Sequence, residues 1–273
     1  MGFSVNTNPG ALVALQSLNK TTALLNAVQK RINTGLKVAG ARDNAAVFNI
    51  AQRLRSDVAG LRAVKGSIDQ AVSTIDVALA AGEAISDLLI QMKEKAVAAK
   101  DPGLDSTSRA ALSSDFKELR DQITTIVDNA EFNGINAVKA DDVVAILNDD
   151  GSNTLTIASQ NLSLGGSNVT VTATATIGTI TTASSVLTQI EASLTNVGTS
   201  LSALGSGATR LELQKSFVSK LSDAIEIGIG NLVDADLARD SATLQALQVR
   251  QQLGLQALSI ANQAPGAVLT LFQ

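Results

Sequence analysis

The sequence predicts a mainly α protein, a long antiparallel helical bundle and coiled coil formed by both chain ends, with a small β-hairpin region in the middle. Three observations predict it. Apolar residues recur at helical spacing over most of the 273 residues, and most regularly near the two ends. The apolar content is Ala, Leu, Val and Ile, with no Trp or Tyr and six Phe, a composition that suits closely packed helices better than a core of large rings. Alternation with a period of two appears only between about residues 140 and 180.

In the first segment Leu18, Leu25 and Ile32 recur every seven residues, with Leu15, Thr22, Val28 and Leu36 on flanking positions. This is a coiled-coil-like stripe. Pro9 suits a first helical turn with Asn8 as its cap, and Gly35 and Gly40 bracket a break. An internal bundle helix carries the same kind of stripe; what argues for another partner is its place at the edge of the chain. From Ala45 to about Lys100 a Pro-free, Ala-rich run carries Ile50, Leu54, Val58, Leu61, Val64 and Ile68, then Val72, Ile75 and Leu79, on to Val97. That exceeds ordinary helix length and predicts a rod. "DPGLDS", Asp101 to Ser106, is a turn, and a helix from Thr107 to Asn129 should fold back antiparallel.

After "EFNGIN", Glu131 to Asn136, "VVAIL" and "TLTIA" flank a turn containing Gly151, a hairpin signal. "VTVTATATI" then predicts a further strand, giving a one-sided sheet of a few strands. Val169, Val171, Ala173, Ala175 and Ile177 would share one face and the threonines the other. That Thr face reads as solvated surface or as acceptors of sugar. Helical spacing returns near Ser184, continues through Leu211, Phe217 and Ile225, and Gly228 and Gly230 mark a joint. The last segment carries Leu237, Leu244, Leu247, Leu255 and Leu258 on one stripe, and Pro265 and Gly266 should loosen its final turn.

The chain lacks Cys and His, which removes the usual metal ligands, thiol nucleophile and commonest acid/base group. No catalytic, cofactor or metal residues are predicted, and the reading is not an enzyme. A net charge of −4 gives no generic attraction to nucleic acid or anionic membrane, and no apolar run is long enough to span a bilayer. "MGFSVNTNPG" does not read as a cleavable signal peptide. "VKGS" at Val64 is mid-helix and no phosphate loop. "GSG" at Gly205 lacks a dinucleotide context, and the Asp141/Asp142 and Asp149/Asp150 pairs lack calcium-loop spacing. Arg53 and Arg55 lie on a basic-leaning stretch that reads as a solvated face, or as a partner for the acidic 141–150 region of another copy.

Taken together, "SVNTN", "LNKTTALLNAVQKRINTGLKVAGARDNAA", "EFNGIN" and "DADLARDSATLQALQVRQQLGLQALSIANQAPGAVLTL" resemble bacterial flagellin, in a short form without variable outer domains. The resemblance implies a filament subunit for swimming motility, with hook–filament junction protein of the same apparatus as the alternative. It implies an inner coiled-coil domain, 1–44 plus 235–273, and an outer rod domain, 45–234, with the hairpin region at about 140–180. The self-assembly seam would comprise Leu15, Leu18, Leu25, Val28, Ile32, Leu237, Leu244, Leu247, Leu255 and Leu258. Gly35, Gly40, Gly228 and Gly230 would act as hinges. The terminal helices would be disordered in the monomer and ordered on assembly. Implied partners are further copies of the chain, sister flagellins, cap and hook-junction proteins, and the export apparatus with a chaperone. Export would proceed without a cleaved leader to an extracellular filament. Flagellins detected by the mammalian Toll-like receptor carry an Arg and a Glu where this chain has Gln91 and Gln122, so these positions imply evasion of the receptor.

Overall fold

The computed structural model describes residues 7–269, with side chains through Gln263, so the outermost parts of the expected inner domain lie outside the described residues. The elements in order are α1 (Pro9–Thr34), α2 (Ala45–Ala99), α3 (Ser106–Asn129), β1 (Val143–Ile146), β2 (Thr154–Ile157), α4 (Ile180–Val233) and α5 (Leu237–Leu269). They form two compact units, residues 1–56 with 224–273, and residues 57–223. These boundaries fall within α2 and α4 rather than at their ends.

In the first unit α1 and α5 pair along their lengths. Asn8 caps α1 through its side-chain oxygen, which accepts from the Ala11 N–H at 3.0 Å, with Pro9 following. Gly35 ends the helix at φ 71°, a conformation a side chain would resist, and its N–H returns to the Arg31 carbonyl at 2.8 Å. The chain then pairs briefly with the α4–α5 junction, as Lys37 N–H donates to Val233 O and Ala235 N–H to Gly35 O. The run "RDNAA" has a local explanation. The Asp43 carboxylate accepts from the Ala39 and Gly40 N–H groups and from Lys30 Nζ, while the Asn44 side chain caps α2 at Val47.

In the second unit α2 and α4 run antiparallel. Lys93 meets Glu191 at 2.9 Å and Lys215 meets Asp69 at 2.6 Å. Their buried positions alternate by three and four: Leu61, Val64, Ile68, Ala71, Ile75 and Ala78 on α2, and Ala183, Val186, Ile190, Ser193, Val197, Ser200 and Leu204 on α4. That is the 3.5-residue period of a left-handed coiled coil. α3 returns along α2, held by Lys95–Asp115 and by Arg109, whose Nε donates to the Ala99 carbonyl at the end of α2. Phe116 and Ile123 are its fully buried anchors.

"EFNGIN" forms a tight turn. Asn133 and Gly134 have φ of 50° and 82°, and Phe132 and Ile135 exchange both backbone hydrogen bonds at 3.0 Å. Buried Asn136 donates to the Val127 carbonyl at 2.7 Å, closing the end of α3. The hairpin follows with Val143 opposite Ile157 and Ile146 opposite Thr154. It seats on α4 at Gly207, where an added Cβ would lie 2.9 Å from Ile157.

Three expectations are corrected. The sheet has only two strands, because residues 169–177 join no ladder. Their backbone is served by other groups: Thr170 N–H donates to Ser193 Oγ, and the Val171 carbonyl accepts from Gly165 N–H. Val169, Val171, Ala175 and Ile177 are buried as the alternation predicts, but Ala173 is exposed. Second, α4 passes through Gly228 and Gly230 without a joint, since buried Ile229 and Val233 anchor its last turn. Third, α5 stays helical through Pro265 and Gly266. The carbonyl that Pro265 leaves without a helical donor, that of Ala261, accepts from the Asn8 side chain instead.

Candidate functional site

The α1/α5 pair holds the residues that the sequence marks for self-association. Its register is antiparallel: Asn8 meets Ala261, Leu18 meets Gly254, Thr22 meets Gln251 and Arg31 meets Asp240. Leu25, Val28 and Leu247 form the buried cluster, with Ile32 and Leu244 packed against it. Gly254 lets the helices approach, since a Cβ there would lie 3.3 Å from Leu18 Cδ1.

Polar contacts mark this seam at three levels. At one end Arg31 donates from Nε and Nη2 to the two carboxylate oxygens of Asp240 at 3.0 and 2.7 Å. The hydrogen bond from Arg31 holds the Asp240 carboxyl below the usual carboxylate range, and the same bond raises the Arg31 guanidinium. Gln251 Nε2 reaches Thr22 Oγ1 at 3.4 Å midway. Asn8 Nδ2 donates to the Ala261 carbonyl at 2.6 Å at the far end.

The seam residues divide by position. Leu25, Val28 and Leu247 are buried, and Leu18, Ile32, Leu244 and Leu258 are half-buried. Leu15, Leu237 and Leu255 are exposed, at 43%, 48% and 54%. On α5 the residues facing α1 step by four and three through Asp240, Leu244, Leu247, Gln251, Gly254, Leu258 and Ala261. The small residues Gly254 and Ala261 therefore hold places that a search for large apolar side chains passes over. Leu255 stands next to the seam, and Leu12, Val13, Leu24, Val249, Leu253 and Ile260 are also exposed. This pair buries one stripe of each helix and leaves a second apolar set bare, where an ordinary amphipathic helix would carry polar residues. The regular four-and-three spacing on α5 was the signal available in the sequence.

Of the hinge glycines, Gly35 has positive φ and Gly40 sits in the loop closed by Asp43, while Gly228 and Gly230 are helical. Gln91 and Gln122 are exposed on α2 and α3. Arg53 and Arg55 are exposed, and Arg55 donates to Gln52 Oε1 at 2.9 Å. Among the described residues no three His, Cys, Asp or Glu side chains gather as a metal site, and no helix is long and apolar enough to cross a membrane.

Residues 5–140 match the model of the bacterial flagellin N-terminal helical region, and residues 187–272 that of the bacterial flagellin C-terminal helical region. The chain is 48% identical to flagellin FljM of Caulobacter vibrioides over 99% of its own length and 98% of the relative's. The chain belongs to the bacterial flagellin family. It is also 34% identical to a flagellin of Brucella melitensis, over 99% of each chain. In fold it resembles a solved Vibrio parahaemolyticus structure described as a flagellar hook-associated protein, with a TM-score of 0.59 at 12% identity. That likeness covers 70% of this chain and all of the other, and at such identity it speaks to fold alone. Flagellins are structural, self-associating subunits of the extracellular flagellar filament, and this flagellin is no enzyme. The full-length relatives favour the filament subunit over the hook-junction alternative.

Proposed function

We propose that this flagellin polymerises by covering, with neighbouring copies, the apolar residues that the α1/α5 pair leaves bare. The observation that carries the reading is the exposure of Leu12, Val13, Leu15, Leu253, Leu255 and Ile260 beside a thin seam whose buried apolar side chains, among the described residues, are Leu25, Val28 and Leu247. A pair with so small a core gains little apolar burial against the entropy of ordering two long helices. α1 and α5 are therefore disordered in the isolated monomer and ordered on assembly. The seam is the ten residues named from the sequence, seven of them along the α1/α5 contact and Leu15, Leu237 and Leu255 turned to a neighbour. Residues 1–44 with 235–273 form the inner domain of the filament, residues 45–234 the outer one, and Gly35 and Gly40, which lie outside the helices, flex between them. The cap, the hook-junction proteins, sister flagellins and an export chaperone are the remaining partners, each meeting the chain through the unfinished ends.

Seeded polymerisation of the purified chain, viewed by negative stain, tests this. Removal of residues 1–20 or 255–273 should leave a folded outer unit that adds to no filament. Normal filaments from either truncated chain, or a wild-type monomer whose terminal helices exchange amide protons slowly throughout, would reject the reading.

A further inference from the structure

We propose that Asn8 is a register-setting residue of the α1/α5 pair, acting as the hydrogen-bond donor that Pro265 withholds from α5. In an α-helix the carbonyl of residue 261 accepts from the N–H of residue 265. Residue 265 is proline and has no N–H, yet α5 runs on to Leu269. The Ala261 carbonyl accepts instead from Asn8 Nδ2 at 2.6 Å, the partner coming from the other end of the chain. The same side chain keeps its second task, since Asn8 Oδ1 accepts from Ala11 N–H at 3.0 Å and caps α1.

The need for such a residue follows from the composition of the seam. Small and aliphatic side chains repeating by three and four allow a helix to slip by one turn at modest cost, because each new position offers similar packing. Polar residues with one correct partner remove that degeneracy. Arg31–Asp240 fixes the end of the pair near the α1–α2 loop, and Asn8–Ala261 fixes the opposite end. A one-turn slip at that end leaves the Ala261 carbonyl without a donor and the Asn8 amide without an acceptor. A proline inside the helix thus marks one carbonyl as different from the others in the interior of α5. This rests on the assembly reading above only in that α1 and α5 order together in the filament.

The test uses full-length chain and four proteins: wild type, Asn8→Ser, Pro265→Ala and the double variant. Serine keeps the α1 cap but is too short to reach across. Asn8→Ser should raise the critical concentration for seeded polymerisation about tenfold, the effect of a hydrogen bond lost with its acceptor left unpaired. Pro265→Ala restores the N–H, so in that background the Asn8→Ser effect should shrink to less than about twofold. Register is read by disulfide trapping in a chain free of native Cys. Leu18→Cys with Gly254→Cys places the two Cβ atoms 3.9 Å apart in the native register, while Leu18→Cys with Leu258→Cys reports a one-turn slip. Slipped cross-links in filaments of Asn8→Ser, suppressed by Pro265→Ala, support the proposal. An equal loss for Asn8→Ser with and without Pro265, or native cross-linking and unchanged polymerisation in Asn8→Ser, would overturn it. A wild-type chain that forms no filaments would instead reject the assembly reading.

Discussion

Leu255→Asp separates the residues that the helix pair buries from those left for a neighbour. Leu255 is 54% exposed beside the α1/α5 seam. Burial of a whole leucine side chain stabilises by about 1.5–3 kcal/mol, so the exposed half holds roughly 0.8–1.6 kcal/mol that only another copy can supply. Aspartate forgoes that gain and adds the cost of dehydrating an unpaired carboxylate, together about 4 kcal/mol, taken toward the lower end of desolvation costs. At 1.4 kcal/mol per decade the critical concentration should rise by about a thousandfold. The assay is seeded polymerisation followed by sedimentation, with circular dichroism of the monomer as the control for folding. The monomer's cooperative melt should not move, because residues 57–223 form a compact unit of their own. Leu247→Ala is the counterpart: Leu247 is buried within the pair, and its truncation should cost about 2–3 kcal/mol through the pair itself. Leu255→Asp filaments that form at wild-type concentration would refute the reasoning, since Leu255 would then meet solvent in the assembled state too.

Two more outcomes follow from named side chains. The Asp240 carboxyl is held low by Arg31, so its contribution to pairing is complete above the unfolded carboxylate value near ~3.9 and is lost as pH falls through its lower folded value. Acid titration of filament stability should show this loss in wild type and lack it in Asp240→Asn, which should be weaker at neutral pH; parallel curves would exclude the ion pair as the cause. With Gln91 and Gln122 exposed and uncharged on α2 and α3, the protein should activate the mammalian Toll-like receptor weakly in reporter cells, and strong stimulation at low dose would contradict that.

The sequence by itself determined the helices, their caps and their turns. Those features depend on groups within about four residues of one another. Asn8 and Pro9 at the start of α1, Asn133-Gly134 before the hairpin and the three-and-four spacing of α2 and α4 are all local. The pairing of α1 with α5 was also legible, because both carry an apolar stripe with the three-and-four spacing of a coiled coil. Tertiary structure decided which neighbour satisfies each group. The segment from Val169 to Ile177 has the alternation of a strand, but Ser193 on α4 supplies an acceptor where a ladder would have, so no strand forms. Leu255 and Gly254 are adjacent in sequence, and only the register of α5 against α1 decides that the glycine takes the seam and the leucine is left bare. Pro265 reads locally as a helix breaker; its missing N–H becomes tolerable only because Asn8, from the far end of the chain, arrives at the carbonyl it left open.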